Sequence, residues 1–428
     1  MESCALQSDL LPHEDLMRHC VALPDAGAVE TERLLNRSDI DWPEFVRQCV
    51  RHGVAQQAAL HLEPYADRLP SDATACLRRV HCANGARNAA MFDAASRLLQ
   101  ALAAAQIRCL VLKGVALSLT AYEDASLRPF ADIDILVDEQ NMDAAGRVAE
   151  RCGFVLDGSG LHPRKHHVAY RADAGKDILS GTMAPEFDPA VTPEILQRDG
   201  RAIKLEIHQS LARSAGGLRR DIDQSAFWDR PQSVNLPDGT TMAVPSAEAM
   251  LAHVCEHAAQ HRFDRLLFAA DVARILQSDS HIIAWDVVEA IAIQSSTASS
   301  VYRMLDFVRR ELKAAVPQET LDALSAADPD ACLAEPTTLK RVFRTGSVDI
   351  PEAIWDHVRH SGWRRFLSAS WQIAFPPAPF MRDIYGDRPP LAMAALTLAR
   401  PFRLTGKLAG VLYRRRVRRP HAAHCERN

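Results

Sequence analysis

The chain reads as an α+β fold, a small mixed-sheet core flanked by amino- and carboxy-terminal α-helical lobes. Three observations predict this. Apolar residues recur at helical spacing from about residue 41 to 105. A short buried apolar run at Cys109 and apolar–polar alternation around Asp132 and Lys204 replace that spacing, and helical spacing returns from Ser246 onward. The boundaries that follow are a mobile leader over 1–30, a helical lobe over 31–105, the sheet-bearing core over 106–245, a second helical lobe over 246–390 and a basic tail over 391–428.

Residues 1 to about 30 are polar and acidic with little periodicity. Asp41 is placed to cap the first helix, with Pro43 in its first turn and Phe45, Val46 and Val50 on one face. Leu69-Pro-Ser-Asp opens another segment, and a long helix follows through Arg87 and Phe92 and delivers the chain to Cys109-Leu-Val-Leu, a short buried strand. That strand breaks at Gly114, and an apolar helix continues to about Tyr122. After the strand centred on Ile133, Asn141 to Cys152 reads as a helix stopped by Gly153. The segment 156–200 is rich in Gly, Pro, Asp and His and predicts hairpin or loop structure. A strand around Glu206 follows, then a tight turn at Pro237-Asp-Gly-Thr between short extended runs. Ser246 opens an amphipathic helix to about His261, and Arg265 begins a second. Further helices are expected over 284–312, 317–327 and 351–374, ended by Phe375-Pro-Pro-Ala-Pro-Phe.

The 428 residues suit two or three domains, and the 47% apolar content is ample for a buried core. A net charge of −4 provides no global field that would recruit nucleic acid or an anionic membrane. The ten cysteines are scattered without a Cys-x-x-Cys pair, as reduced thiols of a cytoplasmic protein would be. The amino terminus has no basic segment leading into an apolar core, and the apolar run from Pro390 to Ala399 is too short to span a bilayer. A soluble cytoplasmic protein with no integral membrane segment is expected.

Asp132 and Asp134, in Arg128-Pro-Phe-Ala-Asp-Ile-Asp-Ile-Leu-Val, carry the chemistry. At i and i+2 of a strand both carboxylates project to one face, with Ile133, Ile135 and Val137 on the other. Two like charges on a half-buried strand repel and resist desolvation unless a cation lies between them. Hard oxygen donors of this kind suit Mg²⁺. A solvated strand end would carry the same Asp-x-Asp without a metal. Upstream, Gly114 at a strand-to-helix junction would let phosphate approach free N–H groups, with Lys113 adding a point charge. Downstream, Lys204, Glu206 and His208 share one face of an alternating strand, and Glu206 is the natural third carboxylate if that strand lies beside the first.

Together, Val111-Leu-Lys-Gly-Val-Ala-Leu, the Asp132–Asp134 block, Lys165-His-His-Val, Leu205-Glu-Ile-His-Gln-Ser-Leu and the His-rich run from Leu251 to Leu266 resemble the nucleotidyltransferase superfamily typified by DNA polymerase beta and the antitoxin-type enzymes. Within it they resemble the uncharacterised bacterial nucleotidyltransferase family proteins, over about residues 30–385. The resemblance implies Mg²⁺ held by Asp132, Asp134 and Glu206, which would also be the catalytic residues. It implies an NTP co-substrate, with ATP favoured, bound by Lys113, Gly114 and Arg128. The reaction implied is transfer of an NMP to a hydroxyl acceptor, a small molecule, peptide or protein, with release of pyrophosphate. One departure stands out: the superfamily has Gly-Ser or Gly-Gly where this chain has Lys113-Gly114. That exchange keeps an alternative in view, a catalytically inactive binding or scaffold protein on the same fold.

His253, His257 and His261 fall at i, i+4 and i+8. Packing and hydrogen bonding against the core is the first reading, a role near nucleotide or acceptor the second, and zinc the last. Asp271 is expected to pair with His257 or Arg265. His166 and His167 could touch triphosphate or acceptor, or belong to a solvated loop. Arg128 could neutralise phosphate or pair with Asp132. For the basic, partly apolar run from Arg400 to Arg419 a solvated tail is the first reading, and weak contact with an anionic membrane surface or nucleic acid the second.

Overall fold

Asp41 caps its helix as its position predicts. Its side chain accepts a hydrogen bond from the Glu44 amide, and Pro43 sits in the first turn of the helix Trp42–Arg51. The computed structural model in which this is seen describes residues 10–22, 28–156, 167–173, 202–211, 213–215, 218–220, 223–261, 263–278, 282–328, 337–344, 371, 375 and 389–401. Lys165, His166, most of the helix expected over 351–374, most of the proline-rich turn after it and the basic run beyond 401 lie outside the described residues.

The helices ahead of the sheet are α1 (Pro12–Val21), α2 (Ala28–Leu35), α3 (Trp42–Arg51), α4 (Ala55–Leu62) and α5 (Ser71–Ala104). The first of these corrects the reading of a leader without periodicity. Leu16, Met17, Cys20 and Val21 of α1 are buried, and the helix packs on α3 and α4. Its apolar face is only two turns long, too short to stand out against the polar residues around it.

The 34-residue α5 clamps the segment that leads into the site. Asn84 donates to the Ser126 carbonyl at 2.7 Å, and Asn88 donates to the carbonyls of Ala125 at 2.8 Å and Arg128 at 3.0 Å. Arg87 reaches the carbonyls of Phe130 and Ala131. Carbonyls of an irregular segment have no ladder partners, so buried amide side chains on a neighbouring helix supply them.

The sheet is five-stranded and mixed, in the order β1-β2-β5-β4-β3, with β1 (Cys109–Leu112), β2 (Asp132–Val137), β3 (Val155–Leu156), β4 (His167–Asp173) and β5 (Ala202–His208). Only the central β2–β5 pair is parallel. Between the first strands lies α6 (Lys113–Thr120), and α7 (Met142–Arg151) follows β2 and ends before Gly153, whose φ is +89°. Leu136 and Asp134 are as buried as Ile133, Ile135 and Val137, so β2 is covered on both faces. The expected turn joins β8 (Gln232–Asn235) to β9 (Thr241–Val244), with Gly239 at φ +88°.

Beyond the sheet, Ser246 caps the helix Ala247–Gln260 by accepting from the Ala249 amide, and helices Leu266–Gln277, Trp285–Gln294, Ala298–Glu311 and Gln318–Ala327 follow. The architecture is α+β, as predicted. No helix among the described residues is long and apolar enough to cross a membrane, and their cysteines are free. The chain divides into two compact units. One takes in residues 1–160, 166–212 and 221–350; the other gathers 161–165, 213–220 and 351–428 and contains the hairpin of β6 (Arg213–Ala215) with β7 (Leu218–Arg220).

The helix Leu266–Gln277 starts without a cap from its own N-cap side chain. His52, at the end of α3, fills the gap: its Nδ1 accepts from the Leu266 amide at 3.3 Å and its carbonyl from the Leu267 amide at 3.1 Å. Burial, followed by the charges of Arg51 and Arg265, pushes the His52 imidazole down to about 3. The folded value therefore lies below the unfolded one, so the stabilisation is intact above pH 6.5 and is lost as pH falls towards 3. We expect His52 alone to cost the fold about 2 kcal/mol between pH 7 and pH 5. Urea unfolding at both pH values should show this loss, and His52→Asn should flatten the acid slope by that amount.

Candidate active site

Strand register builds the site. Asp134 on β2 lies opposite Leu112 of β1 on one side and Glu206 of β5 on the other, while Asp132 lies opposite Lys204 and Leu136 opposite His208. The strand bearing Glu206 is thus the direct neighbour of the aspartate strand, as a shared metal site requires. Ligand-capable atoms of Asp134, Glu206 and His208 lie within 4.8 Å of one another. Asp132 stands outside that tight group, two register positions away. His208 was missing from the candidate residues, although its alternation with Glu206 already placed it on the same face.

The Asp134 carboxylate is 1% exposed. Its Oδ1 accepts from Lys113 Nζ at 2.7 Å and from His208 Nε2 at 2.8 Å, and His208 Nε2 also lies 3.5 Å from Glu206. Its Oδ2 is buried with no hydrogen-bond partner among the described residues. Burial works to raise the Asp134 pKa, but the Lys113 ammonium and the His208 hydrogen bond outweigh it and hold the carboxyl well below its usual range. Asp132 goes the other way, raised first by burial and then by the negative charge of Asp134. Burial keeps the His208 imidazole below its ordinary value, which suits a neutral ring donating to Asp134.

Lys113 reaches Asp134 from the first residue of α6, where its backbone takes φ +47°, a region that side chains other than glycine seldom enter. The next residue, Gly114, has a packing reason to lack a side chain. A Cβ there would meet Phe130 Cβ at 2.4 Å and Cγ at 2.9 Å.

Arg128 donates to both oxygens of Asp271, at 2.9 and 2.7 Å, and Tyr122 donates its hydroxyl to Asp271 Oδ1 at 2.8 Å. Asp271 therefore pairs with Arg128, correcting the expected partners His257 and Arg265. A planar guanidinium offers two parallel donors that an imidazole lacks. Arg128 makes no ion pair with Asp132, but its charge still lowers the Asp132 pKa against the burial that raises it.

The three histidines share one face, as their spacing predicts. Ring centroids of His253 and His257 lie 6.4 Å apart and those of His257 and His261 4.6 Å apart, with Phe268 against the latter two. Burial, then the Lys113 charge, keeps His257 well below its ordinary value, so the stack stands within the electrostatic reach of the site. His167 sits on β4 opposite His208. A second group of metal-ligating type, Asp15, His19 and Glu30, is crossed by arginines: Arg18 lies 2.6 Å from Asp15, and Arg33 pairs with Glu30. Those ion pairs account for it.

The donors on β2 and β5 fit a divalent cation. Asp134 offers a buried lone oxygen, Glu206 a half-buried carboxylate across the register, and Asp132 a carboxylate whose charge its surroundings leave poorly compensated. A family model described as "Uncharacterised nucleotidyltransferase" matches residues 38–313. No curated protein and no solved structure matches the chain.

The Arg128–Asp271 pair joins the start of β2 to the helix Leu266–Gln277, and both side chains are buried. Arg128→Met should destabilise the protein by about 3–5 kcal/mol, because it strands a buried carboxylate. Adding Asp271→Leu should restore much of that loss, a non-additivity that denaturant titration of the single and double variants will measure.

Proposed function

The chain belongs to the uncharacterised nucleotidyltransferase family, and from that premise we propose a Mg²⁺-dependent enzyme that moves an NMP from an NTP, ATP being the favoured donor, to a hydroxyl acceptor. The observation that carries this reading is the β2–β5 register, which sets Asp134 against Glu206 with the second Asp134 oxygen buried and unpaired. Asp132, Asp134 and Glu206 would hold Mg²⁺. When bound, the ion supplies positive charge to phosphate oxygens that gain negative charge during transfer.

The chain's own residues divide the remaining work. Glu206, half-buried rather than sealed, faces the acceptor and takes the hydroxyl proton. The acceptor oxygen bonds to the α-phosphorus as the bond to the bridging oxygen breaks, and pyrophosphate leaves with that electron pair. His208 fixes the orientation of Asp134 through its 2.8 Å hydrogen bond. Lys113, and backbone N–H groups at the start of α6 around Gly114, bind the phosphates. Arg128 acts from behind, keeping the entry to β2 in place through Asp271 rather than touching nucleotide. The acceptor class, small molecule, peptide or protein, stays open in this proposal, as do a cytoplasmic location and weak anionic-surface contact by the carboxy-terminal run.

One observation favours the inactive scaffold reading: the Lys113 ammonium lies on the carboxylate that a metal needs. Calorimetry with ATP, in the presence of Mg²⁺ and of a chelator, separates the two. We expect nucleotide binding that depends on Mg²⁺, and pyrophosphate release that falls by about 10²–10³-fold in Asp134→Asn and Glu206→Gln. ATP binding indifferent to the metal, with no labelled product from α-labelled NTPs and lysate, would overturn the enzyme in favour of the scaffold.

A further inference from the structure

The position of Lys113 bears on how such a site is loaded. Its ammonium is 2.7 Å from Asp134 Oδ1, and the side chain is only 15% exposed. It is drawn there by Asp134, by Asp132 and by Glu206, the same carboxylates assigned to the metal. The backbone supports this placement. Leu112 pairs with Asp134 across the β1–β2 ladder, and the turn to φ +47° at the very next residue starts α6 and leaves the lysine reaching back to that aspartate. A left-handed lysine is unfavourable by itself and persists where its surroundings fix it. With Oδ1 engaged by Lys113 and His208, Oδ2 is left without a partner among the described residues. The carboxylate is therefore half compensated: it keeps one oxygen for a cation, with an ammonium already beside it.

An ammonium and a divalent cation at adjacent oxygens of one buried carboxylate repel each other. The nucleotide brings a group that can relieve this repulsion, because a triphosphate presents several anionic oxygens to which a flexible lysine can move. We propose that Lys113 is a built-in counter-cation that keeps free divalent metal off the Asp134–Glu206 site until a polyphosphate draws its ammonium away. Metal and nucleotide then enter as coupled ligands, each raising the affinity of the other by the same factor. The inference rests on the metal-holding role given above to Asp134 and Glu206, and it adds an order of loading that the carboxylates alone do not impose.

The test reads metal binding directly. Mn²⁺ affinity is measured by electron paramagnetic resonance on the full chain, with and without inorganic tripolyphosphate and with a nucleoside triphosphate analogue whose α,β-bridge is methylene. For the wild type we expect weak Mn²⁺ binding alone, strengthened about tenfold or more by either polyphosphate. Lys113→Met, which keeps the length and removes the charge, should bind Mn²⁺ alone about tenfold more tightly than wild type and lose most of the polyphosphate enhancement. Adding Asp134→Asn to Lys113→Met should abolish the gain, which ties it to this carboxylate. The wild-type comparison requires no variant, so a poorly folding Lys113→Met leaves the proposal exposed to refutation. Tight Mn²⁺ binding by wild type without polyphosphate, unchanged on adding it, would overturn the counter-cation while leaving the metal site in place. No Mn²⁺ binding to either protein under any of these conditions would overturn both.

Discussion

Burying the negative charge of Asp134 is the constraint on which the rest of the structure depends. A carboxylate that is 1% exposed must be neutralised or generously hydrogen-bonded, or it will take up a proton. Two elements of the chain are bent to that task. The β1–α6 junction adopts an uncommon backbone conformation at Lys113 to deliver an ammonium, and the parallel placement of β5 next to β2 delivers His208. The apolar face of β2 would be as well covered by an antiparallel neighbour, but His208 and Glu206 would then run past Asp134 in the opposite order.

A second buried charge pair gives the site its frame. Arg128 precedes β2 by four residues, and Asp271 lies in the helix Leu266–Gln277, whose amino end is held by His52 from α3. That one helix thus meets the sheet through a salt bridge and the amino-terminal helices through a borrowed cap. The amide side chains of α5 complete the frame by taking up the carbonyls between Ala125 and Arg128. Buried ion pairs of this kind contribute little net stability beyond what hydrophobic residues would give, but breaking one is costly. Their effect here is to fix where β2 begins, and therefore which way its carboxylates face.

How much of this was legible in the sequence follows from range. Local signals are legible: the cap at Asp41, the stop at Gly153, the turn at Gly239 and the helix start at Ser246 all depend on residues within a few positions of one another. The neighbour relation of the Asp132 and Glu206 strands was also legible, because alternation placed each set on one face and the chemistry demanded proximity. What escaped was set by distant partners. Nothing local tells Arg128 that its carboxylate is Asp271 rather than Asp132, since 143 residues separate the pair. The two-turn apolar face of α1 likewise gains meaning only from α3 and α4. His208 escaped for a different reason, because an imidazole is a common core residue and its role depends on which oxygen it meets.

Asp132 and Asp134 are chemically identical, sit two residues apart on the same face, and are driven in opposite directions. The difference is one of compensation. Asp134 has an ammonium and an imidazole N–H on it, whereas Asp132 has burial and the charge of its neighbour against it. Environments that push paired carboxylates apart in this way are characteristic of sites that divide labour between them. The charges of Lys113, Arg128 and Lys204 all lower the Asp132 carboxyl, yet burial and the charge of Asp134 outweigh them. Asp132 is therefore the carboxylate of the pair that its surroundings leave readier to take up a proton. A divalent cation at the proposed site would favour the ionised form of both carboxylates, opposing the burial that raises Asp132.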